Sequence, residues 1–231
     1  MQAAINPTSA NLSIVPQRQP LKVVVLGDSL VYGFGDPEGG GWVERLRRQW
    51  MSPDSLGPIL YNLGVRGNRV VQVGDRLEQE LRHRGELRNR LPDVSIFSVG
   101  LNDSARVQSF QGRNYTEFDH FETTLDHLLD QAQTMCQVVF VGMIPVDESK
   151  MPFQGCLYYT LADQFRYKDA TRLACLERNI PYLDLLELWL DRGEHWWKSR
   201  LCSDGLHPNV AGYEALLQDI GQWEPIEKLA H

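Results

Sequence analysis

"LKVVVLGDSLVYGFG" (residues 21–35) starts as a strand fit for burial on both faces and then stops in small and polar residues. Leu21, Val23, Val24, Val25 and Leu26 form a near-continuous apolar run, the composition of a strand inside a parallel sheet. Gly27, Asp28 and Ser29 follow directly, so a hydroxyl is carried to the strand's carboxyl end. Four further runs repeat the strand pattern: ILYNLG (59–64), DVSIFSVG (93–100), QVVFVGM (137–143) and IPYLDL (180–185). Helical periodicity fills the gaps. Trp42, Val43, Leu46 and Trp50 share one side of GWVERLRRQWM, and Phe118, Phe121, Leu125, Leu128 and Leu129 recur at helical steps. Residues 158–178 and 208–223 read the same way. Strand alternating with helix predicts one α/β domain over residues 21–224, its parallel sheet covered on both faces. Residues 1–20 read as a tail ending at Pro20, and residues 225–231 as a second tail.

Composition narrows the function. The 231 residues are 42% hydrophobic and 23% charged, ordinary for a globular chain. A net charge of −7 argues against a nucleic-acid partner, which needs a concentrated basic face. No apolar run approaches the roughly 18 residues of a membrane span, and stable membrane insertion is not expected. MQAAINPTSANLSIVPQRQP has neither the basic start nor the apolar stretch of a secretory signal, which points to the cytoplasm. Cys136, Cys156, Cys175 and Cys202 have no paired spacing, so reduced thiols are expected and no zinc site.

In a parallel sheet the loops leaving the strands' carboxyl ends gather on one rim, and working groups collect there. GDSL, GVRGN and GLNDS follow the first three strands and fall on that rim. Ser29 is the candidate nucleophile, and a serine hydroxyl needs a base within hydrogen-bond reach. Of the six histidines, His120 and His127 lie on a predicted helix, His83 on a charged one, and His231 is terminal. His195 in EHWWK has no evident orienting acid. His207 stands apart, in SDGLHPNVAGY, with Asp204 three residues before it and Pro208 after it at a helix start. A tight turn through Gly205 can bring the Asp204 carboxylate onto Nδ1 and leave Nε2 facing the serine. Acyl attack also needs donors for the oxyanion. The Ser29 and Gly67 N–H groups and the Asn102 amide are the candidates.

Ser29 in GDSLVYG, Gly67 in NLGVRGN, Asn102 in GLND and His207 with Asp204 in DGLHPN together resemble the SGNH (GDSL-type) hydrolases, a GDSL-like lipase/acylhydrolase family. The matching blocks run from residue 27 to residue 213. The resemblance implies a flavodoxin-like three-layer α/β/α sandwich with a central, mostly parallel five-stranded sheet. It also implies ester hydrolysis of a small molecule without metal or cofactor, as in arylesterases, thioesterases, lysophospholipases and carbohydrate deacetylases. By carry-over Ser29, Asp204 and His207 form the triad, and Ser29, Gly67 and Asn102 the oxyanion hole. Val31 and Tyr32 depart from the family's small or polar residues there and narrow the expected mouth.

The long segment PVDESKMPFQGCLYYT (145–160) should overhang the site. Phe153, Leu157, Tyr158 and Tyr159 either line a pocket or pack that loop down. Trp196 and Trp197 either form the opposite wall or enter the core. With no amphipathic lid in view, a short soluble ester or thioester is expected rather than a long-chain lipid. Two other readings stand beside this one. A nucleotide-binding protein would need a phosphate loop that GDSLVYGFG does not spell. A non-catalytic binding or scaffolding protein could retain the same fold.

Overall fold

The computed structural model describes residues 19–51, 57–84 and 90–230; the expected tail over residues 1–18 lies outside them. The elements follow the alternation in the sequence. Its first half runs β1 (Lys22–Gly27), α1 (Ser29–Tyr32), α2 (Gly41–Trp50), β2 (Ile59–Gly64), α3 (Val70–His83), β3 (Val94–Ser98), α4 (Leu101–Ser104), β4 (Arg106–Val107) and α5 (Phe118–Gln133). Then come β5 (Gln137–Val141), β6 (Leu157–Tyr158), α6 (Leu161–Glu177), β7 (Tyr182–Leu183), α7 (Leu185–Asp191), α8 (Glu194–Lys198), α9 (Val210–Gly221) and α10 (Glu224–Glu227).

Five strands form one sheet in the order β2-β1-β3-β5-β7. Every pairing in it is parallel, so the sheet expected to be mostly parallel is wholly so. Counted along the sheet's own strands this is the flavodoxin-like order, whose crevice lies where the winding reverses beside the first strand. Burial explains the strand compositions. Val23, Val24, Val25 and Leu26 are fully buried, each contributing about 1.5–3 kcal/mol relative to exposure. β3 is buried along its whole length. The edge strand β7 is short, and its Tyr182 and Leu183 are half-buried.

Helices cover both faces. α2 turns Trp42, Val43, Leu46 and Trp50 inward, as their spacing requires. α5 does the same with Phe121, Leu125, Leu128 and Leu129. α2 packs with α9, and α3 with α5, which in turn meets α6. A separate two-stranded ladder joins β4 to β6, antiparallel. The segment after residue 224, expected as a tail, is instead the helix α10 and a 3-10 turn (Lys228–Ala230). Ile226, only 1% exposed, supplies the apolar anchor that a tail would lack. Its final residue, His231, lies outside the described residues.

Candidate active site

β1 ends at Gly27 because nothing larger fits. A Cβ there would stand 2.1 Å from the Ser98 carbonyl oxygen of β3 and 2.5 Å from Val31 Cγ2. Asp28 then caps α1, its Oδ1 accepting the Leu30 N–H at 2.9 Å. Ser29 thereby becomes the first residue of α1 and is held at the rim. Tyr213 of α9, fully buried, donates to the Phe34 carbonyl at 2.9 Å and fixes the turn that follows.

His207 reaches this serine across 178 positions of chain, its Nε2 standing 2.9 Å from Ser29 Oγ. Its Nδ1 is 2.7 Å from Asp204 Oδ2. The other Asp204 oxygen accepts the backbone N–H groups of Leu206 and His207 at 2.9 and 3.0 Å. Gly205 makes the turn at φ +69°, a left-handed conformation suited to glycine. Asn209, one residue beyond Pro208, caps α9 by accepting the Gly212 N–H. Burial pushes the Asp204 carboxyl up, but the bonds from the His207 ring and the two backbone N–H groups outweigh it and hold the carboxyl below its ordinary range. The His207 ring, 2% exposed, lies between Phe34 at 4.5 Å and Phe153 at 5.6 Å. His83, His120, His127 and His195 are all exposed.

Ser29 and His207 open into a cavity of about 350 Å³ that Gly67 and Asn102 also line. Among the described residues, neither the Ser29 nor the Gly67 backbone N–H donates to a protein acceptor, as befits a helix start and an open loop. The Asn102 amide is held on three sides. Its Nδ2 donates to the Asn68 carbonyl at 3.0 Å and to Asp28 Oδ2 at 3.3 Å, while its Oδ1 accepts from the Tyr159 hydroxyl at 3.0 Å.

Of the expected pocket residues, Phe153 and Tyr159 line the cavity and Tyr158 does not. The Tyr158 ring packs edge-on against Phe110, turned away by the strand alternation of β6. Tyr32 does not line it either; one turn past Ser29, it is 54% exposed. Trp196 is also elsewhere, sandwiched by Arg200 at 3.7 Å, Arg192 at 4.6 Å and Trp189 at 5.4 Å. Trp197 is in the core. Sequence reading missed Arg66, Tyr115, Gln154 and Leu206, which complete the lining. It also missed the buried Asp103, which accepts from the Thr116 hydroxyl and the Val70 N–H and so ties α4 to the start of α3. The ND pair after β3 was its visible signal. Cys202 Sγ sits 3.3 Å from the Pro208 carbonyl and serves packing, and burial raises its thiol pKa.

Burial also pushes the Asp28 carboxyl up to about 7 and Asp103 up to about 6. The folded chain therefore keeps the Asp28 proton to about pH 7, whereas an unfolded aspartate loses it near 3.8. The folded state binds the extra proton between those values, so this group makes stability fall as pH rises through that window. Asp28→Asn should remove its share, on the order of a few kcal/mol. The Tm difference between variant and wild type should then shift in the variant's favour from about pH 4.5 to about pH 8. Thermal melts at the two pH values check this, and a pH-independent difference counts against a protonated Asp28.

A serine, a histidine and a carboxylate on the rim of a parallel α/β sheet, beside unpaired N–H donors, define the class: a three-layer α/β/α hydrolase. Comparison with known proteins narrows it further, and the chain belongs to the GDSL-like Lipase/Acylhydrolase family, whose model matches residues 25–215. The uncharacterized protein YpmR of Bacillus subtilis (strain 168) is 21% identical over 220 residues, 89% of this chain and 82% of that one. Among solved structures, an acetylxylan esterase from Geobacillus stearothermophilus superposes with TM-score 0.66 at 19% identity, over 89% of this chain and 95% of its own. An alpha/beta hydrolase enzyme from the metagenome of Lake Arreo, Spain, gives TM-score 0.64 at 17% identity, over 87% and 93%. Family membership supports an acylhydrolase acting on small-molecule esters. Among the described residues no helix is long and apolar enough to cross a membrane.

Proposed function

We propose that the protein is a serine esterase that cleaves short carboxylic esters or thioesters through an acyl-enzyme intermediate. The observation that carries this reading is the unbroken hydrogen-bond chain from Ser29 Oγ through His207 to Asp204, opening onto a cavity with free backbone donors. In the proposed cycle His207 Nε2 takes the Ser29 proton as Oγ attacks the acyl carbon. The oxyanion settles among the Ser29 and Gly67 N–H groups and Asn102 Nδ2, whose bond to Asp28 is the longer of its two. The imidazolium, steadied by Asp204, then gives its proton to the leaving alcohol or thiol. Water then attacks the acyl carbon as His207 takes one of its protons, the bond from the acyl carbon to Ser29 Oγ breaks, and His207 returns the proton to Oγ as the acid leaves.

A cavity of about 350 Å³ walled by Phe153, Leu157 and Leu206 favours a small acyl group. The likeness to an acetylxylan esterase makes acetyl the first group to try. Nitrophenyl esters from acetyl to dodecanoyl, assayed with wild type and Asn102→Ala, test the reading. Short chains should be preferred, and the variant should lose roughly 10²–10³ in kcat, the cost of one oxyanion donor. An unchanged kcat removes Asn102 from the hole; no turnover of any ester turns the reading toward a binding protein.

A further inference from the structure

The 145–160 segment does more than wall the cavity. β6 within it pairs with β4, Arg106 opposite Tyr158 and Val107 opposite Leu157, and β4 begins two residues after the helix that carries Asn102. This ladder fixes the distance between the two segments, and Tyr159 is the next residue along. Its ring is 1% exposed, and its hydroxyl donates to Asn102 Oδ1 at 3.0 Å.

Consider what happens to Asn102 when a substrate arrives. The amide's two N–H groups are engaged by Asn68 and Asp28. To serve an oxyanion, one must be released, and the shorter bond to the Asn68 carbonyl then holds the amide from its nitrogen end alone. The Tyr159 hydroxyl holds it from the oxygen end. With both anchors in place the amide plane stays put while one N–H changes partner. A bond accepted at Oδ1 also polarises the amide and strengthens its N–H groups as donors.

We propose that Tyr159 is a positioning residue that holds and polarises the Asn102 carboxamide for oxyanion stabilisation. The proposal rests on the reading of Asn102 as an oxyanion donor. It gives this hydroxyl a role separate from substrate contact, which a pocket wall of the same shape would not have.

Tyr159→Phe keeps the ring, the packing against Phe153 and the cavity outline, and removes the hydroxyl alone. It should lower kcat roughly 10-fold, the scale of a lost buried hydrogen bond, and leave KM within about 2-fold, since the loss is confined to the transition state. The decisive comparison is a double-mutant cycle with Asn102→Ala. In that background Tyr159→Phe should cost less than about 2-fold, because the group it acts through is gone. An equal loss in both backgrounds overturns the proposal while leaving Asn102 in the hole. A raised KM with unchanged kcat makes Tyr159 a substrate contact and overturns it too. If Asn102→Ala itself costs nothing, the oxyanion reading fails, and the proposal falls with it for that distinguishable reason. The lost bond should lower the Tm of Tyr159→Phe modestly, and a cooperative melt that stays well above the assay temperature excludes a folding defect as the source of the loss.

Discussion

Ser29→Ala should leave a folded protein with almost no esterase activity, its kcat reduced roughly 10⁴–10⁶-fold. The size of the loss follows from what the hydroxyl does: it is the atom that forms the new bond to the acyl carbon, and no neighbour can stand in for it. Cys202 carries another nucleophile near the site, but its Sγ is turned to the Pro208 carbonyl and burial raises its thiol pKa. The fold has little reason to notice the change. Asp28 still caps α1, Tyr213 still holds the following turn, and among the described residues the one hydrogen-bond partner of Ser29 Oγ is the His207 ring. Residual turnover should reflect binding and the remaining donors. A fluorophosphonate probe should add one adduct to the wild type, mapped to Ser29, and none to the variant. Retention of more than about one hundredth of the wild-type kcat would move the nucleophile elsewhere.

The parts of this site that can be read along the chain are those that local chemistry fixes. A small residue directly after an apolar strand run, followed by Asp28 and Ser29, residue types that start helices, makes the rim serine visible before any fold is known. That the Ser98 carbonyl and the Val31 side chain also require Gly27 to be small emerges only in the fold. Asp204 and His207 are legible for the same reason, because a three-residue separation with a glycine between them specifies one tight turn. Pocket walls follow another logic. Tyr158 and Tyr159 are adjacent and chemically alike, yet one packs on Phe110 and the other bonds Asn102. The difference is strand alternation, which depends on the pairing of β6 with β4, a contact across about fifty residues that no local pattern announces. Trp196 failed as a wall because nearness in sequence to the His207 loop said nothing of direction; arginines from its own segment cover it. The residues from 225 onward failed for lack of length: a single buried isoleucine in a four-residue helix makes no periodic signal.

Asp204→Asn is the second large effect, and its interest is that the geometry should survive it. Asparagine can keep the oxygen that accepts the Leu206 and His207 backbone N–H groups, so the turn through Gly205 stays formed. The amide nitrogen then faces His207 Nδ1, where a carboxylate oxygen accepted at 2.7 Å. Two donors cannot share that contact, so the imidazole places its proton on Nε2 and turns a donor, not an acceptor, toward Ser29. The base is present and in position but in the wrong tautomer. kcat should fall roughly 10⁴-fold, the size known for this change in a serine protease triad. Stability should respond differently. The wild-type carboxyl is held below its ordinary range in the fold, so its contribution is present above the unfolded pKa, near 3.8, and fades as pH falls through the folded value. The asparagine side chain of the variant has no such titration. The melting-temperature gap between the two proteins should therefore be widest near neutrality and close in acid, while the activity gap stays large wherever the wild type is active. Equal activity for the two proteins at neutral pH would show that Asp204 steadies the turn without directing the histidine, and the proton path from Ser29 would then have to end at His207.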